Sequence, residues 1–208
     1  MNEGWCNGPV RDGRRQERRQ SIIDAAEALF LEHGYERVSL GTIVRRSGGS
    51  LATLYEMFGS KQGLLRAVVD HVREEEMKDL RDIDWDRWSP SEILRLFGRR
   101  YHDFATSPKT VALMRLVITE SFSDPKFGRS FNEEMQEKII DQIASCFERW
   151  TAAGKAKVDR PKAAAELYFA AVLCHSPIKA MLGVALPSDC DEMLQWRLAP
   201  LLKHFEMS

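Results

Sequence analysis

Long apolar runs are missing from this chain. No stretch approaches the roughly 20 residues that span a bilayer, and the opening MNEGWCNGPVRDGRR lacks the apolar stretch of a signal peptide. A cytoplasmic protein with no membrane partner is therefore expected. Cysteine is sparse as well. Cys6, Cys146, Cys174 and Cys190 show no C-x-x-C spacing, which favours reduced thiols over a disulfide framework. An excess of one charge is also lacking, since 30 Lys and Arg against 31 Asp and Glu leave a formal net charge of −1. A general basic coat is excluded, and any nucleic-acid face must be a local patch. There is no G-x-S-x-G, no H-E-x-x-H and no phosphate-binding glycine loop, and His33, His71, His102, His175 and His204 fall on separate expected helices or their ends. Neither an enzyme, nor a bound metal, nor a cofactor is expected.

What is present is an ordinary globular composition, with 208 residues, 44% hydrophobic and 29% charged, enough for one large or two smaller domains. The most specific stretch is SLGTIVRRSGGSLATLYEMFGSK, Ser39 to Lys61. Ser39 can cap a helix whose apolar positions Leu40, Ile43 and Val44 recur at helical spacing, and Gly48 would stop it. Ser50 can cap a second helix carrying Leu51, Leu54, Tyr55 and Phe58, before Gly59-Ser60 and a third apolar run at Leu64, Leu65, Val68, Val69 and Val72. This is a helix-turn-helix with a following support helix. A recognition helix over Ser50 to Phe58 would be roughly 13 Å long, a size that suits a major groove roughly 12 Å wide. By spacing alone two short helices around Gly-Gly are more often an ordinary helical hairpin.

The residues themselves go further. Thr53-Leu54-Tyr55, Phe58 and Ser60-Lys61, preceded by Ala25-Ala26, Leu29-Phe30, Gly34-Tyr35 and Ser39, closely resemble the tetracycline-repressor (TetR) family of one-component transcriptional regulators over about Arg15 to Val72. The resemblance implies an all-α protein, with an N-terminal three-helix head and a C-terminal helical domain for ligand binding and dimerisation. The corresponding boundaries are a mobile tail over 1–13, a DNA-binding head over 14–62 and a body over 63–208. It also implies that Ser39, Gly41, Thr42, Ser50, Leu51, Ala52, Thr53 and Tyr55 face DNA and that Lys61 contacts phosphate. The arginines around the start of the first helix, Arg14 and Arg18 in particular, read as a solvated face or, beside such a head, as an arm on phosphates or in a minor groove.

Two positions depart from the family pattern. Gly49 stands where an apolar residue usually plugs the head's core, and Leu51 where a polar or basic one is common. Periodicity offers Leu51 to the core, while the resemblance offers it to the groove, where it could pack on a thymine methyl. Ala52 is too small for a bidentate hydrogen bond, so specificity would lean on methyl contacts and DNA shape.

The first helix carries Ile22, Ile23, Ala26, Leu29 and Phe30 on one face, and the helix from Lys61 is expected to run to about Leu80. Ser89-Pro90-Ser91-Glu92 is a capping box with Pro at the first helical position. It opens a helix through Phe104, followed by another with Val111, Met114, Val117, Ile118 and Phe122. A long helix from Asp124-Pro125 to Gly154, with a break near Phe131, comes next, then one from Asp159 and Pro161 and a last one capped by Ser188. Arg115-Leu116-Val117, Glu120-Ser121 and Pro125 resemble a branch of the family whose members often control efflux or stress genes. The family pattern implies a homodimer through the final helices, two recognition helices about 34 Å apart, a near-palindromic double-stranded operator and a small organic, lipophilic effector. Phe97, Tyr101, Phe104, Met114, Phe122 and Tyr168 are candidates for the effector pocket or for plain core. Two further readings stay open: a thiol or metal sensor at Cys174, His175 and Cys190, whose adjacent Cys-His pair does not easily share a helix face, and a helical interaction protein that no longer binds DNA.

Overall fold

The computed structural model describes residues 13–78, 87–187 and 190–207, and among them every regular element is helical. The expected tail, the last turn expected before Leu80 and the Ser188 cap lie outside or partly outside the described residues. Backbone packing separates two compact units, Met1–Glu75 with Ala112–Gly128, and Glu76–Val111 with Arg129–Ser208. The support helix stays with the head because its stripe Leu64, Leu65, Val68, Val69 and Val72 is buried within that unit.

The first unit contains α1 (Gly13–His33), α2 (Leu40–Ser47), α3 (Leu51–Phe58), α4 (Lys61–Glu76) and most of α6 (Pro108–Ser123). Its core takes Ile22, Ile23, Ala26, Leu29 and Phe30 from α1, as their spacing predicts, but only Ile43 from α2 and only Leu54 from α3. A helix of two turns turns one position fully inward. Each fully buried Leu or Ile contributes about 1.5–3 kcal/mol relative to exposure, so single residues suffice to seat α2 and α3.

The second unit contains α5 (Pro90–Thr106), a continuous helical path of α7 (Pro125–Phe131), a π-helical stretch (Asn132–Glu137) and α8 (Lys138–Ala152), then α9 (Pro161–Leu173), α10 (Ser176–Met181) and α11 (Cys190–His204), with α7 itself beginning in the first unit. Helix α9 packs on α5, α8 and α11. The capping box is present, with Ser89 Oγ accepting from the Glu92 amide at 3.3 Å and Glu92 Oε2 accepting from the Ser89 amide at 2.8 Å. Those bonds hold the Glu92 carboxyl below its usual range. The break expected near Phe131 is a widening instead, since Phe131 keeps helical angles and the chain continues as a π-helix. Helix α9 starts at Pro161 with Arg160, not Asp159, in the cap position and no side-chain cap bond. Proline itself sets that start, because its fixed φ suits the first helical position, where its missing amide hydrogen would have had no intrahelical partner.

Candidate nucleic-acid interface

The helix-turn-helix is built on two glycines in its turn and a serine cap at the start of each helix. Ser39 Oγ accepts from the Thr42 amide at 3.1 Å, and Ser50 Oγ accepts from the Thr53 amide at 3.1 Å, each satisfying one of the amides a helix start leaves open. Gly48 and Gly49 lie at φ 77° and 97°, a region closed to most side chains. Arg18 arches over this turn and donates from Nη1 to the Ser47 carbonyl at 3.1 Å. Gly49 is exposed, and the space a Cβ would enter is bounded by Arg18 at 3.7 Å. The apolar plug of the family pattern has no place here, because the left-handed backbone conformation at this exposed position favours glycine.

With Leu54 buried and Thr53, Met57 and Phe58 half-buried, the outward positions of α3 are Leu51, Ala52, Tyr55 and Glu56. Leu51 is 45% exposed and Tyr55 53%, so Leu51 is a surface residue and not a core one. Ala52, Ser39 and Ser50 are exposed, and Gly41, Thr42 and Thr53 half-buried. The hydroxyls pair along the surface, Ser39 Oγ with Thr42 Oγ1 at 2.9 Å and Ser50 Oγ with Thr53 Oγ1 at 3.0 Å. Arg45 donates from Nη2 to Thr42 Oγ1 at 3.1 Å. Sequence reasoning passed over Arg45, although its spacing of three from Thr42 places it on that face. Arg14 is exposed at the start of α1, and Arg15 pairs with Glu56 of α3 at 2.9 Å.

Lys61 is half-buried. Its Nζ lies 4.1 Å from the centre of the Tyr35 ring and donates to the Glu36 carbonyl at 3.5 Å. Burial lowers its pKa, against the pull of Glu36 and Glu120. Burial, with Glu120 and Glu36 adding, pushes the Tyr35 phenol well above its ordinary range, so it stays neutral. Beside Lys61, the Gln62 amide nitrogen donates to Glu120 Oε1 at 2.7 Å and to Asp124 Oδ2 at 3.1 Å, tying α4 to the end of α6 within this unit. These acceptors lie some sixty residues on, and no local pattern announces them. A cleft of about 170 Å³ opens nearby, lined by His33, Gly34, Tyr35, Glu36, Arg37, Leu116, Thr119 and Glu120.

Phe97, Tyr101, Phe104 and Tyr168 are buried in the second unit with Phe169, which sequence reasoning omitted; Tyr101 and Phe169 have ring centres 5.0 Å apart, and Tyr168 and Phe169 5.4 Å. The Tyr168 phenol donates to the Leu94 carbonyl at 2.7 Å. Met114 and Phe122 belong to the first unit, and Phe122 is 84% exposed. Helix α6 buries Thr110, Val111, Leu113 and Val117, leaving Ile118 and Phe122 outward.

Cys174 leaves α9 with φ 47°, which brings its Sγ to 3.0 Å from His175 Nδ1. The two side chains thus meet because the helix has ended there. Cys190's side chain lies outside the described residues, and no three His, Cys, Asp or Glu among the described residues come together to hold a metal. No described helix is long and apolar enough to cross a membrane.

A capped helix-turn-helix on a three-helix head, followed by a separate all-helical unit, has the build of a DNA-binding regulator. Residues 22–68 match the model of bacterial regulatory proteins, tetR family, and residues 92–195 that of the AefR-like transcriptional repressor C-terminal domain. The chain belongs to the TetR family of transcriptional regulators. It is 46% identical over 52 residues to the HTH-type transcriptional repressor ComR of Escherichia coli, covering 25% of each chain. It is 35% identical over 129 residues to the repressor KstR of Rhodococcus jostii, covering 62% of this chain and 58% of that one. These matches thus span between a quarter and somewhat over half of the relatives' lengths. The solved structure of the flavonoid-responsive regulator FrrA is similar over 93% of this chain and 97% of its own, with a TM-score of 0.70 and 31% identity. Neither the metal or thiol reading nor the loss of DNA binding gains support from these relatives.

Proposed function

We propose that the protein is a cytoplasmic homodimeric repressor, which holds a near-palindromic operator through its two heads and releases it when the body binds a small lipophilic molecule. The observation that carries the reading is the outward face of α3. A recognition helix that exposes Leu51, Ala52 and Tyr55 while spending only Leu54 on the core leaves its surface to a partner. Ser39, Gly41, Thr42, Ser50 and Thr53 extend that face, with Lys61, Arg14 and Arg18 as phosphate contacts. Thr53 and Tyr55 hydroxyls suit phosphate, and Leu51 and Ala52 suit thymine methyls. Dimerisation is supported by the exposed apolar residues Leu167 on α9 and Met193 and Trp196 on α11, with Ile178 and Leu182 on and just after α10, which a partner surface would cover. The head of 14–62 and the body of 63–208 divide the work between operator and effector. Among ligands, flavonoids are the first class to screen, because FrrA responds to them.

The test is selection of bound sequences from random duplexes at defined salt, repeated with Tyr55→Ala and Lys61→Ala. A near-palindromic motif is expected, with weaker binding across sequences and a shallower salt slope in the Lys61 variant. Folded, dimeric protein that enriches no motif overturns the reading.

A further inference from the structure

We propose that Arg45 is the principal phosphate anchor of the helix-turn-helix, with Thr42 holding its guanidinium in place. The inference rests on the DNA-binding reading and adds a residue to it. Helix α3 contains neither Lys nor Arg, and α2 has only Arg45 and Arg46. Attraction to a polyanion must therefore come from residues flanking the recognition helix.

The flanking cations differ in what already holds them. Arg46 reaches Glu32 at 3.7 Å, and Arg15 reaches Glu56 at 2.9 Å. Arg18 is committed to the Ser47 carbonyl, and Lys61 lies over the Tyr35 ring with its charge partly desolvated. Arg45 is exposed, and its partner among the described residues is neutral, the Thr42 hydroxyl at 3.1 Å. Thr42 is itself fixed by Ser39 Oγ at 2.9 Å. A guanidinium has five N–H donors in a planar fork, so one bond to Thr42 orients it and leaves the others for a phosphate. The first helix of such a motif crosses the DNA backbone while the second enters the groove. The last turn of α2 is thus placed for phosphate and not for a base edge.

The experiment measures affinity and salt dependence for the duplex recovered by selection, using Arg45→Ala, Arg45→Lys, Arg46→Ala and Tyr55→Ala in the full chain, each checked for helicity and dimerisation. Arg45→Ala is expected to weaken binding on the order of tenfold and to reduce the slope of log affinity on log salt by about 0.9 for each half-site. Arg45→Lys restores the slope and part of the affinity, because it keeps the charge and loses the fork. Arg46→Ala, one residue away but paired, stays within about twofold of the parent. Equal losses at Arg45 and Arg46 reduce the effect to general charge and overturn the proposal. Weak binding by Tyr55→Ala beside parent-like binding by Arg45→Ala also overturns it, while leaving the DNA face standing. Parent-like binding by Tyr55→Ala and Arg45→Ala together removes both.

Discussion

Each unit contains a glycine that another part of the chain approaches too closely for a side chain, and the two differ in what approaches. In the head, a Cβ on Gly63 would stand 2.0 Å from the carbonyl oxygen of Phe58, five residues earlier at the end of α3. In the second unit, a Cβ on Gly98 would stand 2.9 Å from the phenolic oxygen of Tyr168 and 3.1 Å from Val172, both on α9. The head's tight contact is backbone against a near neighbour in sequence. That of the second unit is backbone against side chains some seventy residues away. One defines how the recognition helix hands over to α4, and the other how closely α5 and α9 can pack.

The sharpest way to break this comparison is Gly63→Ala. A carbonyl cannot rotate aside as a side chain can, so a cost of about 3 kcal/mol or more is expected, with DNA affinity falling as α3 is displaced. Chemical denaturation of the variant checks it, and a parent-like midpoint refutes a rigid approach at this position.

Gly98→Ala is expected to cost less, about 1–3 kcal/mol, because Tyr168 can yield at the expense of its bond to the Leu94 carbonyl. Tyr168→Phe alone should cost about 1 kcal/mol through that lost bond. Combined with Gly98→Ala it should cost less than the sum, since the clashing oxygen is gone. A double-mutant cycle without coupling would show that Tyr168 is not what limits the approach.

Gly49→Ala comes next. Its φ of 97° penalises any Cβ, by roughly 1–2 kcal/mol, yet the space beside Arg18 at 3.7 Å is open to a methyl. Thermal melts should therefore show a modest loss of stability from strain without crowding. An undiminished melting temperature would indicate that the turn relaxes freely.

The smallest effect is a pH dependence in the second unit. His102 is buried, with Nε2 lacking a hydrogen-bond partner. Burial pulls its pKa below the ordinary 6.5; Asp103 raises it through charge and a hydrogen bond, and Arg197 lowers it further. A depressed folded value means that the unfolded chain binds the proton more readily. The contribution is thus complete above about pH 6.5 and is lost as pH falls through the folded value. Replacing His102 with Gln should flatten stability over that acidic window, as followed by denaturation at a series of pH values. An unchanged slope would assign the acid sensitivity to other groups.

Legibility in the sequence followed the same division between near and distant partners. Both helix-turn-helix caps and the capping box at Ser89 could be read because donor and acceptor lie within three residues of one another, and the Gly48 stop because a positive φ favours glycine. The destination of Leu51 could not, since helical spacing marks it apolar without saying that Leu54 alone reaches the core. The exposure of Phe122 could not be read either, because α6 is apolar on more than one face and only packing selects Val111, Leu113 and Val117 as inner positions. Arg18, Lys61 and Gln62 stand in or beside the motif, but their partners at Ser47, Tyr35 and Glu120 come from other helices and loops.

The sequence by itself determined an all-helical chain, a two-helix motif around a glycine turn and the family to which these belong, because caps, turns and helical spacing act over a few residues. Tertiary structure alone decided which apolar stripe faces inward, which cations are already engaged and which aromatics meet. Those outcomes depend on surfaces brought together from distant parts of the chain, where burial and charge pairing are properties of the packed unit and not of any segment within it.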